Sequence, residues 1–243
     1  MLAGVGVLAG VVSTVVSLAS VVSYPALLAI GLPPLSANVT NTVALTFTGV
    51  GSVLGSRAEL TGQGRRVLRL GLLTASGGAV GAGLLLLTPA RTFQLAAPAL
   101  IAAAALVLLA QPSVRRPART RRHERGPWLR AGVFGTAVYI GYFGAAGGIL
   151  MLSVLAAMLD QPLVRVNAVK NAISGLANGI AAAGFVAFGP VRWAAAVPLA
   201  AGFLLGGWLG PAFVRRLPGQ SLRVLVGLCG LLVAVKLGLD TYR

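Results

Sequence analysis

The sequence predicts an all-α polytopic membrane protein of two homologous halves, each a broken or re-entrant helix plus three spanning helices. Three observations carry this prediction. Hydrophobic residues make up 57% of the chain and charged residues only 10%, against roughly 25% charged in ordinary globular domains. Several nearly charge-free runs reach the roughly 20 residues that cross a hydrocarbon core, more than a soluble core of this size could hide. The pattern also recurs. Pro34 and Pro162 precede two amide-rich clusters, Ala37-Asn38-Val39-Thr40-Asn41-Thr42 and Val166-Asn167-Ala168-Val169-Lys170-Asn171, set 129 residues apart.

The first half, residues 1–110, opens with an apolar Gly/Ala/Val-rich segment over 2–17. No Lys or Arg precedes it, so it reads as a retained membrane segment rather than a leader. Ser17, Ser20, Ser23 and Pro25 interrupt the run, which resumes over residues 26–30 as the second piece of a broken helix. Gly31-Leu32-Pro33-Pro34 ends it, and Ser36 is the expected N-cap of a new helix of about 20 residues. Arg57 to Arg69, with four arginines and one glutamate, reads as a short basic loop. Helices follow over residues 70–87 and 93–110, joined by Thr88-Pro89-Ala90-Arg91.

Residues 111–130 form the linker between the halves. Seven arginines and three prolines there suit a segment that stays solvated rather than folding. The second half, 131–243, repeats the order: an apolar run over 131–146, a break at Gly147-Gly148, a second run over 149–159, then Asp160-Gln161-Pro162. Helices over about 164–186, 194–213 and 221–239 complete it.

A formal net charge of +16 would point to nucleic acid in a soluble chain. Here most arginines fall in short connections, as the positive-inside rule expects, so nucleic acid is not an expected partner. If the broken segments cross the membrane, the halves are parallel repeats. If they re-enter, the halves are inverted, and Arg57–Arg69, the central linker and Arg215–Arg223 all face the cytoplasm. The inverted arrangement in a cell inner membrane is the expectation. Cys229 is the single cysteine and cannot form an intrachain disulfide. Glycines at spacing four, as in Gly6/Gly10, Gly77/Gly81 and Gly202/Gly206/Gly210, suit close helix packing.

On a helix Asn167, Lys170 and Asn171 share one face, and Ser174 and Asn178 extend it by two turns. Asn38, Asn41 and Thr42 repeat the spacing, and Thr46 continues it. These two stripes could meet around one cavity, with Ser20, Ser23, Gly147 and Gly148 at the breaks as secondary candidates. A lysine at bilayer depth costs roughly 2.5–3.5 kcal/mol and should face water or a partner, unless it snorkels to an interface. The chain has lysine only at 170 and 236, every loop cation being arginine.

A cation, amide and hydroxyl donors and the N-terminal ends of two helices together suit a small anion. They do not suit a metal. Asp160, Asp240, Glu59 and Glu124 lie at segment ends or in loops, and His123 sits in the linker, so no ligand cage, cofactor motif or catalytic pair is expected. The expected partners are a small inorganic or organic anion and the lipid bilayer, and a homo-oligomer is compatible with the chain.

The run from Tyr24 through Pro33-Pro34 into Asn38-Val39-Thr40-Asn41-Thr42, followed by Gly144-Ala145-Ala146-Gly147-Gly148 and Asn167-Ala168-Val169-Lys170-Asn171, resembles the TauE/SafE sulfite exporter family along nearly the whole chain. The resemblance implies a multi-pass inner-membrane permease moving small sulfur-containing anions such as sulfite, sulfoacetate or thiosulfate, often outward. The chain departs from the family pattern at Ser17-Leu18-Ala19-Ser20, where a glycine-rich break is usual, and partly at Gly144-Ala145-Ala146-Gly147-Gly148. A passive anion channel and a non-transporting scaffold are the competing readings.

Overall fold

The computed structural model describes residues 1–16, 19–110, 126–145, 147–214, 228, 231–232 and 234–241. Ser17 and Leu18 of the first break, linker residues 111–125, Ala146, the arginines at 215, 216, 223 and 243, Cys229 and much of the expected last helix lie outside the described residues. All regular elements among the described residues are helices: α1 (Leu2–Val16), α2 (Ala19–Ala29), α3 (Pro34–Gly55), α4 (Arg57–Leu60), α5 (Gly64–Leu87), α6 (Ala90–Ala110), α7 (Pro127–Tyr142), α8 (Gly147–Met158), α9 (Leu163–Phe188) and α10 (Trp193–Val214). Among them Gly64–Leu87, Leu163–Phe188 and Trp193–Ala212 are long and apolar enough to cross a membrane. Their outer faces carry large exposed apolar side chains, among them Leu72, Leu84, Val186, Val197 and Leu205.

The structure moves several expected boundaries. α3 starts at Pro34 with Pro33 at its cap position and no side-chain cap bond, so Ser36 is a buried first-turn residue rather than the cap. Proline fits there because its fixed φ suits the first turn and its missing N–H has no intrahelical acceptor to lose. The basic stretch 57–69 is mostly helical, in α4 and the start of α5, and α6 begins at Ala90 instead of 93. The final residues of the expected linker, from Pro127, already belong to α7. The second break falls at Phe143–Ala145 and not at Gly147-Gly148, which open α8. Gly144 sets it: with φ +76 and its N–H bonded to Tyr139 O at 3.1 Å, it ends α7 in a backbone conformation that favours glycine.

Glycine contacts fix the helix directions. Gly6, Gly10 and Thr14 of α1 abut Gly202, Gly206 and Gly210 of α10 in the same order, and Thr48 and Gly55 of α3 meet Gly207 and Pro211 of α10. So α1, α3 and α10 run parallel. Gly77 and Gly81 of α5 abut Phe134–Ala137 and Val138–Tyr142 of α7, while Thr74 Oγ1 donates to Ile173 O of α9 at 2.8 Å and Gly78 meets Ala177. α5, α7 and α9 therefore form a second parallel trio.

The trios meet at α3 and α9, which run in opposite directions: Gly49 abuts Gly175, Thr46 meets Gly179 and Val39 meets Gly189. Each trio takes two helices from one half of the chain and one from the other. Because α1 and α3 run the same way, the α1–α2 pair returns to the end of the bundle where it began. The same holds for α7–α8 before α9.

Candidate functional site

Both breaks converge on the α3–α9 crossing, where the structure holds a partly open cavity of about 50 Å³. α9 supplies Lys170, Asn171, Ser174 and Asn178, the helical stripe read from the sequence, and α3 supplies Thr48 and Ser52. Ser20 of α2 and Gly148 of α8 complete the wall from the breaks, and no acidic residue is among the described lining residues. Lys170 is 2% exposed. Four buried polar atoms on this wall, Thr48 Oγ1, Asn171 Nδ2, Ser174 Oγ and Asn178 Oδ1, have no hydrogen-bond partner among the described residues. Leaving such a group unmatched costs about 1–3 kcal/mol, so each is expected to meet a ligand or ordered water.

Helix ends add to this polarity. Ala19 and Ser20 begin α2, and Gly148 stands in the first turn of α8, so two helix N-termini border the cavity. First-turn N–H groups lack intrahelical acceptors and carry the positive end of the helix dipole. Cation, hydroxyls, amide and helix N-termini thus present mostly donors to one small space, a chemistry that matches the oxygens of an anion.

The remaining candidates stand elsewhere. Asn38 Nδ2 donates to Tyr142 O at 3.1 Å, and Asn167 Nδ2 donates to Thr14 O at 3.0 Å. Both carbonyls lie in the last turn of a broken helix, where no intrahelical N–H is available to them. Each half's asparagine therefore braces the broken helix of the other half. Asn41 donates to Ser20 Oγ at 3.1 Å and accepts from Ser23 Oγ at 2.6 Å, tying α2 to α3. Thr42 Oγ1 donates to Asn38 O at 2.9 Å and Thr46 Oγ1 to Thr42 O at 3.2 Å, so both hydroxyls are satisfied along their own helix. Gly147 packs on Ile140 and Tyr139. Of the candidates the cavity takes Lys170, Asn171, Ser174, Asn178, Ser20 and Gly148, while Asn38, Asn41, Thr42, Asn167, Ser23, Thr46 and Gly147 lie outside its lining.

Asn38 borders a second, much smaller space of about 10 Å³ with Tyr24 and Phe143. Aromatic packing fills that side: Tyr24 and Phe143 meet edge-on at 5.9 Å, and Phe93 lies 6.0 Å from Phe143 and 6.1 Å from Tyr142. Sequence reasoning missed this ring cluster, because nothing in the spacing of 24, 93 and 143 announces it. It also missed Thr48 and Ser52. The signal for these was present, since both continue the helical face of Asn41 by two and three turns.

The family model for Sulfite exporter TauE/SafE matches residues 2–237. No curated protein and no solved structure gave a match. The matched span takes in both broken helix pairs, both amide clusters and every residue of the Lys170 cavity, and the chain belongs to the sulfite exporter TauE/SafE family.

Proposed function

We propose that this membrane transporter of the sulfite exporter type carries small sulfur-containing anions, such as sulfite, sulfoacetate or thiosulfate, outward across the cell inner membrane through the Lys170 cavity. One observation carries the reading: a buried lysine stands beside four polar atoms without a partner among the described residues, in a cavity with no carboxylate among its described lining residues. Lys170 is the counter-charge, Thr48, Asn171 and Ser174 donate to the anion's oxygens, and the α8 N-terminus faces it. Pockets for drug-sized ligands run to roughly 300–1,000 Å³. A space of about 50 Å³ suits an ion of a few heavy atoms.

The transporter reading includes an inverted repeat of 1–110 and 131–243 about a cytoplasmic linker at 111–130. Supporting it, Gly206 abuts Val7, Gly10 and Val11 just as Gly77 abuts Phe134, Ala137 and Val138, and Gly207 meets Thr48 as Gly78 meets Ala177. The opposed directions of α3 and α9 support inversion over parallel repetition, and inverted repeats meeting at broken helices are a common transporter plan. Arg65, Arg66, Arg69, Arg130 and Arg165 gather at the end where α5, α7 and α9 begin, which supports a cytoplasmic reading of that end under the positive-inside rule.

A thermal-shift screen of the purified protein tests the substrate class, because a ligand that binds the folded state raises its apparent stability. Sulfite, thiosulfate and sulfoacetate are expected to raise the melting temperature, and acetate at the same ionic strength is not. Equal shifts with acetate, or none with any sulfur anion, would remove the sulfur-anion assignment.

A further inference from the structure

The end of the bundle where α5, α7 and α9 begin carries a feature that transport through the Lys170 cavity does not use. A cleft of about 1080 Å³ is bordered by Arg65, Arg66 and Arg69 of α5, Arg130 of α7 and Arg165 of α9. No acidic residue is among its described lining residues, although Asp160 stands exposed between two of them, Leu159 and Gln161. Part of this basic set is held in place. Arg165 donates through Nε to Glu59 O at 3.2 Å and through Nη2 to Thr61 O at 2.6 Å, and Arg66 donates to the Gln63 side chain. Arg65, Arg69 and Arg130 are exposed. Three helices also start here, so three sets of first-turn N–H groups share this end.

The other wall of the cleft is apolar. Leu70, Leu72 and Leu73 follow the arginines on α5, and Leu72 is 67% exposed. Leu72 also borders a neighbouring groove of about 440 Å³ formed by Leu68, Gly71 and Ala75 of α5 with Leu176 of α9. From Arg65 to Leu72 the helix rises about 10 Å, the distance over which a bilayer passes from headgroups to acyl chains. A free inorganic anion would use the arginines and leave the leucine wall idle. A ligand with an anionic head and an apolar tail uses both.

We propose that this cleft binds an anionic phospholipid, its phosphate on Arg65, Arg69 and Arg130 and one acyl chain running past Leu72 into the groove between α5 and α9. The site needs only that the protein lies in a membrane, and stands whether or not Lys170 binds sulfite. By fastening a lipid across α5, α7 and α9, it joins three helices of one parallel trio at their shared end.

Native mass spectrometry of the full chain in detergent, titrated with phosphatidylglycerol and with phosphatidylcholine of the same acyl length, tests the proposal. Wild type is expected to take up phosphatidylglycerol about tenfold more tightly. The triple variant Arg65→Gln, Arg69→Gln, Arg130→Gln, all at exposed positions, should lose that preference at an unchanged melting temperature without lipid. Leu72→Ser keeps every charge and should weaken uptake of both lipids. Equal uptake of the two lipids by wild type overturns the proposal, as does a preference surviving in the triple variant. Stabilisation by soluble glycerol 3-phosphate equal to that by the lipid would also overturn it, making the cleft a free-anion site.

Discussion

Lys170→Met is expected to lower sulfite flux in proteoliposomes on the order of 100-fold or more, while the purified variant keeps its helix content. Removing one partner of a buried, hydrogen-bonded charge pair costs roughly 2–5 kcal/mol, and about 1.4 kcal/mol is tenfold. Lys170 is 2% exposed and is the only cation among the described lining residues of the cavity, so a bound anion would lose its whole counter-charge. Methionine is close to lysine in length and volume, so the packing around position 170 is kept while the charge is lost. Flux at the wild-type rate in radiolabelled-sulfite uptake would remove Lys170 from the site.

Gly77→Leu and Gly206→Leu are expected to be strongly damaging to the fold, and equally so. At Gly206 a β-carbon would lie 2.9 Å from Gly10 Cα and 3.0 Å from Val11 N; at Gly77 it would lie 2.7 Å from Ala137 Cβ and 2.9 Å from Phe134 O. Both contacts are with backbone or a short side chain, which cannot rotate away. Overpacking alone costs typically about 1–3 kcal/mol, and here two whole helices must part. Membrane-extracted protein should fall several-fold for each, read as the monodisperse peak in size-exclusion chromatography. Harm from one substitution and tolerance of the other would break the correspondence between the α5–α7 and α10–α1 contacts.

Much of this architecture is legible in the sequence because its signals are local. Pro34 and Pro162 mark helix starts, and long charge-free runs mark spans. The stripe Lys170, Asn171, Ser174, Asn178 is visible because helical spacing is periodic, and the structure places all four on one cavity. Boundaries that depend on a single backbone conformation were not legible. The positive φ of Gly144 puts the second break before Gly147-Gly148, although the glycine pair is the stronger compositional signal. The basic stretch 57–69 reads as loop because charge signals solvent exposure, and an exposed helix satisfies that signal equally well.

Residue roles were harder still. Asn38 and Asn167 match in type and position, yet each spends its amide on the opposite half's broken helix, a partner more than a hundred residues away. Asn41 and Lys170 align between the halves and diverge in use. Asn41 is held between Ser20 and Ser23, while Lys170 borders the larger cavity. Antiparallel packing of α3 against α9 brings the middle of α3, with Thr48, level with the Lys170 stripe and carries the Asn38–Thr42 cluster toward the far end of α9. Sequence periodicity sets the face of a helix and leaves its direction relative to a distant helix open.

The polar atoms of the cavity that lack partners among the described residues are expected to hold an anion. Equilibrium binding of radiolabelled sulfite to purified Thr48→Val tests it most directly. Thr48 Oγ1 is buried and has no partner among the described residues, so its loss removes no hydrogen bond seen there, and valine keeps the shape. A hydrogen bond to a charged group is worth about 1.5–3 kcal/mol. Sulfite binding is expected to weaken about 10- to 100-fold at an unchanged or higher melting temperature. Sulfite bound by Thr48→Val at wild-type affinity would contradict it.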